Sequence, residues 1–141
     1  MGMQQILLIV LSVIIVGAAV VVGITMFSTQ AVNANRSAVL MDLNTFGASA
    51  IAYYKTPTDQ GGGGGTFTLD DVGYYLANNY VAASDSIHND NGGYKLTCTA
   101  TVLTIVGKGT EKGRVSTNPV GGTMNVTPAN ADPLVLSDTN W

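Results

Sequence analysis

From Ile6 to Phe27 the chain reads ILLIVLSVIIVGAAVVVGITMF, and the first charged side chain anywhere is Arg36. As a helix rising ~1.5 Å per residue, this run is roughly 33 Å long, enough to cross a hydrocarbon layer of ~30 Å. An uncharged stretch of that length does not stay in water as a free arm. Each large apolar side chain left exposed forfeits about 1.5–3 kcal/mol relative to burial. The segment belongs in lipid, inside a protein assembly, or in the first and then the second. The third is the expectation here.

The 141 residues are 46% hydrophobic and 11% charged, with a formal net charge of −3. Much of the hydrophobicity lies in the first two dozen positions, so the remainder is an ordinary polar chain rich in Gly, Thr, Asn and Ser. That length suits one folded domain beside the front segment. The domain's own core is small and should lean on the preceding helix or on neighbouring subunits. The Lys and Arg residues are scattered from Arg36 to Arg114 without forming a basic patch, so specific nucleic-acid binding is not supported. The single cysteine, Cys98, cannot form an internal disulfide. In the alternating run YKLTCTATV it shares a face with Leu96 and Ala100 and reads as a small buried hydrophobe. With His88 as its one imidazole partner, a zinc site lacks ligands.

A secretory signal peptide has a basic start, a shorter apolar run and a small-residue cleavage site. Here MGMQQ is uncharged, the apolar run is too long and the sequence continues as a helix. A membrane anchor is normally oriented by flanking Lys or Arg, and none precede the segment. The expectation is that a basic leader has been removed and that Met1 is a processed terminus. N-myristoylation of Gly2 is disfavoured, because Ile6 stands where the motif asks for Ser or Thr.

No proline interrupts Ser28 to Tyr54, and Gly47 is its single glycine. Val32, Val39, Leu43, Phe46, Ala50 and Tyr53 recur at helical spacing and mark one apolar face, interspersed with Asn33, Asn35, Arg36, Asp42, Asn44 and Ser49. Pro57 ends the pattern by disfavouring α geometry at Thr56. One helix of about 50 residues, roughly 75 Å long, is therefore predicted. Residues 1–27 form its all-apolar half and 28–55 its amphipathic half, with a small domain over 56–141. Gly17, Ala18, Ala19 and Gly23 would allow close helix approach. Gly17 and Gly23 also weaken the helix by about 1 kcal/mol each relative to Ala, which makes them the points of helix flexibility where local melting is permitted.

These residues carry a family likeness. The front, MGMQQILLIVLSVIIVGAAVVVGITMF, resembles the mature amino-terminus of type IV pilins, and the long helix followed by a Thr/Gly-rich β region is similar to the pilin "lollipop" plan. The resemblance implies an inner-membrane subunit cut by a prepilin peptidase and N-methylated on its first residue, here Met1. It also implies that pilus assembly machinery draws the subunit into an extracellular helical homo-oligomer on the cell surface. Two departures stand out. Pilins typically carry glutamate at the fifth mature residue, where Gln5 stands if Met1 is first; if Met3 is first, Leu7 takes that place. Glutamine hydrogen-bonds without charge and avoids burying an unpaired carboxylate. Met1 is preferred as the first residue because it keeps a polar group in that position. The proline familiar early in the pilin helix is also missing, leaving the glycines as the source of any kink. Archaeal flagellins and adhesion pilins share the apolar front helix, so both branches stay open. Adhesion, twitching, DNA uptake and surface spreading all use the same subunit plan.

The rest of the chain reads as an α+β domain. TPTDQGGGGG, from Thr56 to Gly65, is expected to be a flexible connector; no Gly-Lys-Ser/Thr follows to make it a phosphate loop. Thr68 is the expected N-cap of a short helix with Asp70 and Asp71 at its positive end and Val72, Tyr75, Leu76 and Tyr80 on its apolar face. Ala83 to Gly93 is expected to be a loop ending in an Asn91-Gly92 turn, and its acids lack calcium-loop spacing. Strands are predicted over Tyr94–Thr101 and Val102–Val106, then, after a charged turn from Gly107 to Gly113, over Arg114–Thr117, Thr123–Val126 and Leu134–Leu136. The result is an antiparallel sheet of roughly three to five strands laid on the amphipathic half-helix.

Asn35 and Asn125 match the N-glycosylation acceptor pattern and are candidate modification sites. Phe27, Phe46, Tyr53 and Tyr54 are explained by core packing rather than by an electron path. No nucleophile–base–acid set is visible, so no enzyme activity and no cofactor are expected. The expected self-assembly surface consists of Ile6, Leu7, Leu8, Ile9, Val10, Leu11, Val13, Ile14, Ile15, Val16, Val20, Val21, Val22, Ile24 and Phe27, joined through the resemblance by Met1 and Gln5. The alternatives are a single-span anchored extracytoplasmic domain, a secretion-system pseudopilin or a minor pilin.

Overall fold

The computed structural model describes residues 2–112, 119–130, 132 and 134–139. Helix α1 runs without interruption over Gly2–Lys55, because no residue in it lacks a backbone donor and its apolar stripe continues to Tyr53. A 3-10 turn at Thr58–Gln60 leads to the short helix α2, Leu69–Leu76. Six strands follow: β1 Tyr80–Val81, β2 Ser86–Asn89, β3 Gly92–Cys98, β4 Leu103–Lys112, β5 Pro119–Val126 and β6 Leu134–Thr139. They form one sheet in sequence order, with every neighbouring pair antiparallel. This is the α+β layout the sequence predicts, a long amino-terminal helix on an antiparallel sheet.

Period-two alternation aims one face of the sheet at α1. Register aligns Cys98, Leu103, Val126 and Leu134 in one row across β3–β6, and Leu96, Ile105, Met124 and Leu136 in the next. Against these rows α1 buries Val39, Leu43, Ala50 and Tyr53. A third row is different. Tyr94 pairs with Gly107, and Gly107 with Gly122. A Cβ at Gly107 would press on the Tyr94 ring and on Val39 at 3.1 Å, and one at Gly122 would press on Leu43 at 3.1 Å. The two glycines form a bare bed on which the helix lies close to the sheet.

That bed explains a correction. Gly107 to Gly113 was expected to be a turn, whereas β4 continues through Gly107 and Gly109 to Lys112. Glycine, lysine and threonine alternate there because the glycines face the helix and the lysine faces water. The stretch Ala83–Gly93, expected as a loop, holds β2 and the start of β3, and the hairpin between them turns at Asp90-Asn91 rather than Asn91-Gly92. Among the described residues the sheet thus has six strands, more than expected. Arg114–Thr117 lies outside the described residues.

The glycine run is also ordered by contacts the sequence does not announce. The N–H groups of Gly63, Gly64 and Gly65 donate to the carbonyls of Tyr53, Thr56 and Tyr54, each at 2.9 Å. The run folds back as a cap on carbonyls at, and one residue beyond, the end of α1. Thr68 occupies the N-cap position of α2, but its side chain makes no capping hydrogen bond.

Candidate functional site

From residue 2 to residue 30 every side chain of α1 is exposed; half-burial begins at Ala31, and Val39 is the first buried residue. All the apolar residues of the expected assembly surface therefore face outward. Leu7 is 70% exposed, Val13 66% and Phe27 76%. The projecting part extends three polar residues past Phe27, through Ser28, Thr29 and Gln30. The helix is long and apolar enough to cross a membrane by length and composition.

The hydroxyl side chains of this segment donate to carbonyls of their own helix. Ser12 donates to the Ile9 carbonyl at 2.7 Å and Thr25 to the Val22 carbonyl at 2.8 Å. Ser28 and Thr29 both donate to the Thr25 carbonyl. In hydrocarbon each such hydroxyl must be satisfied within its own helix. Gln5 is exposed, and Met1 lies outside the described residues. Gly17 and Gly23 lie within the continuous helix, and a Cβ at either would meet nothing within 4 Å. Backbone hydrogen bonding on both sides carries the helix through them.

The projecting rod is held to the sheet by two polar anchors that sequence reading missed. At the neck, the Asn35 amide donates to the Asn91 carbonyl at 2.9 Å and its oxygen accepts from the Glu111 N–H at 3.2 Å. Two turns on, one oxygen of Asp42 accepts from Asn89 at 2.8 Å, Asn91 at 2.8 Å and the Tyr94 hydroxyl at 2.7 Å. Burial works against the Asp42 charge, and the three hydrogen bonds outweigh it, holding its carboxyl below the usual value. Burial in turn pushes the Tyr94 hydroxyl well up, with Asp42 adding to the effect. Asn89 also closes its own hairpin by accepting from the Asn91 and Gly92 N–H groups.

Of the two candidate glycosylation residues, Asn35 is half-buried with both amide atoms engaged, while Asn125 is half-buried and accepts from Thr104 at 2.9 Å. The aromatics separate. Phe46 packs edge-on against Tyr94 at 5.0 Å, Tyr53 and Tyr54 pack around Phe67, and Phe27 stands alone on the rod. Cys98 lies on the Leu96 face, as expected, but is half-buried rather than buried, and Ala100 is exposed; burial raises the thiol's pKa. His88 bonds to Ser86, and no cluster of three metal-ligating side chains occurs among the described residues.

Known protein families, curated proteins and solved structures offer no match to this chain. The geometry itself defines the class. This is a small antiparallel-sheet domain carried on one end of a long helix whose other end is an uncovered apolar rod, a layout compatible with a pilin-like or a membrane-anchored protein.

Proposed function

We infer that the chain is the subunit of a type IV pilus-like filament, held in the membrane by its apolar half-helix and then polymerised by burying that half-helix among staggered copies. One observation carries this reading. The same unbroken helix is rigidly anchored to the sheet through Asn35 and Asp42 and fully exposed over residues 2–30. A tether needs only a span; a stiff span continuous with the domain core fixes each domain at a set distance and orientation from its own rod. That is what a helical array requires of its repeating unit.

The energetics fit transfer between two apolar environments. Relative to water, burying some twenty large apolar side chains is worth tens of kcal/mol, at about 1.5–3 kcal/mol each. Relative to lipid the gain is small, because acyl chains already satisfy these side chains. Extraction then needs an external source of work, and the finished fibre resists dissociation in water. A processed, methylated Met1 and an uncharged Gln5 beside it belong to the same reading, as does a place on the outer surface of the cell.

Electron microscopy of material sheared from producing cells is the test. Filaments containing this chain are expected. The chain found wholly in the membrane fraction, with no fibre in the shearings, would replace this reading with that of an anchored monomer. Mass spectrometry of the amino-terminus checks the processed residue and its methylation.

A further inference from the structure

At the end of the molecule opposite the rod, a groove of about 540 Å³ opens between the close of α1, the glycine cap and α2. Tyr53, Tyr74, Tyr75 and Asp71 line it together with Thr58, Gly61 and Gly62, and no lysine or arginine is among its described lining residues. The rings are not equivalent. Tyr53 is 3% exposed and lies near-parallel to Phe67, so it is a fixed wall. Tyr75 meets it at a ring separation of 5.2 Å and an angle of 60°, making a corner. Tyr74 is braced edge-on by Tyr80 at 5.2 Å. Tyr74 and Tyr75 remain 57% and 45% exposed, so both rings are accessible to a ligand.

Three aromatic rings and a carboxylate lining one groove suit one ligand chemistry. Ring faces carry negative quadrupole potential and attract cations, most strongly weakly hydrated ones. A sugar would stack on a flat platform, which two rings set at 60° do not provide. We propose that this groove binds a small organic cation of the quaternary-ammonium class, of which choline is the simplest, held against Tyr75 and Tyr74 and balanced by the Asp71 carboxylate. Burial raises the pKa of the Tyr53 hydroxyl and the charge of Asp71 adds to it, so the field of that carboxylate reaches the inner wall. The acidic wall disfavours cations that carry their own phosphate, so a free cation rather than a phospholipid headgroup is the ligand. Tyr53 lies roughly 39 Å along the helix from Phe27, so the groove lies outside the segment that the filament reading buries. The inference therefore stands apart from the filament reading.

The experiment is calorimetric titration of the full chain in non-ionic detergent micelles at constant ionic strength. The probes are choline, its neutral isostere with carbon in place of the charged nitrogen, and phosphocholine. Choline is expected to bind saturably, with the isostere and phosphocholine each about tenfold weaker, the difference that ~1.4 kcal/mol makes. Tyr75→Leu should weaken choline at least about fivefold, Tyr75→Phe should keep it within about twofold, and Asp71→Asn should weaken it roughly three- to tenfold. Because Tyr75 and Asp71 are exposed, these variants keep the fold, which their circular dichroism melting curves verify. Equal binding of the isostere, full retention by Tyr75→Leu, or no saturable choline binding each overturns the proposal. Phosphocholine binding as tightly as choline overturns the assignment to a free cation.

Discussion

The Tyr94 hydroxyl, at the centre of the sheet, donates to the carboxylate of Asp42 on the helix at 2.7 Å. Tyr94 is fully buried and its ring takes the edge of Phe46, so the hydroxyl has been led through the core to reach that acid. Two asparagine amides of the β2–β3 hairpin converge on the same oxygen. The helix is thereby registered to the sheet in rotation as well as in depth, something apolar packing alone does weakly because it is non-directional.

Asp42→Ala should therefore cost more than an ordinary helix-surface substitution. It leaves a buried hydroxyl and two amides without their acceptor, and hydrogen bonds to a charged group are worth about 1.5–3 kcal/mol. A loss of roughly that size is expected in denaturant unfolding of the full chain followed by circular dichroism. Tyr94→Phe, which keeps the ring and removes one donor, should cost less, on the order of 1 kcal/mol. Equal stability of Asp42→Ala and the unaltered chain would show that apolar packing alone sets the register.

The same pair sets opposite limbs of the pH profile. The Asp42 pKa is lowered below its ordinary 3.8, so its contribution is complete above that value and is lost as pH falls through the folded-state pKa. The Tyr94 pKa is raised above its ordinary 10.0, so its contribution is complete below that value and is lost as pH rises beyond it. Melting temperature measured against pH should fall at both ends. Asp42→Asn should flatten the acid limb. Tyr94→Phe should flatten part of the alkaline limb, leaving the share due to Tyr80, whose pKa is raised by burial and by Asp85.

How much of this was written in the sequence differs from element to element. The helix was legible to its last turn, because Val39, Leu43, Ala50 and Tyr53 repeat at helical spacing and Pro57 stops the pattern. The outward-facing rod was legible for the same reason: an apolar run with no polar face cannot be covered by so small a domain. Two kinds of strand were not. In β2, Ser86 and His88-Asn89 carry no apolar alternation, since half of this strand near the sheet edge faces water and its pairing rests on backbone bonds. In β4, Gly107 and Gly109 read as turn residues when their role is to admit the helix; a Cβ at Gly109 would strike the Asn35 amide. The anchors at Asn35 and Asp42 depend on partners more than forty residues away, which no local pattern encodes.

The glycine cap makes a sharper demand than a connector would. Gly63 is buried, and a Cβ there would collide with the Thr66 carbonyl and with the Tyr53 ring. Gly63→Ala should cost about 1–3 kcal/mol, as overpacking does. Gly62 faces a similar obstruction from Thr56, while Gly61 and Gly65 hold φ at 78° and 93° and would lose less, through backbone strain alone. A thermal-shift series across Gly61–Gly65 should thus be uneven, with its deepest losses at Gly62 and Gly63. A flat series would return the run to a mere connector.

The rod offers the most direct test of the filament reading, because its tolerance for polarity should depend on whether a hydroxyl can find its own backbone. Ser12 already does so, donating to the carbonyl three residues earlier. Val13→Thr can repeat that geometry and should assemble as the unaltered chain does. Val13→Asp places a charge where neither lipid nor a packed bundle of apolar helices can solvate it, at about 2.5–3.5 kcal/mol for a charge at the centre of a membrane helix. Filament yield in cell shearings should then fall to the background, with protein level and membrane association followed in parallel by immunoblot. Sheared filaments at normal yield from Val13→Asp would mean that residue 13 lies outside any buried interface. Loss of fibres from Val13→Thr as well would mean that close helix contact at this position, rather than its polarity, governs assembly.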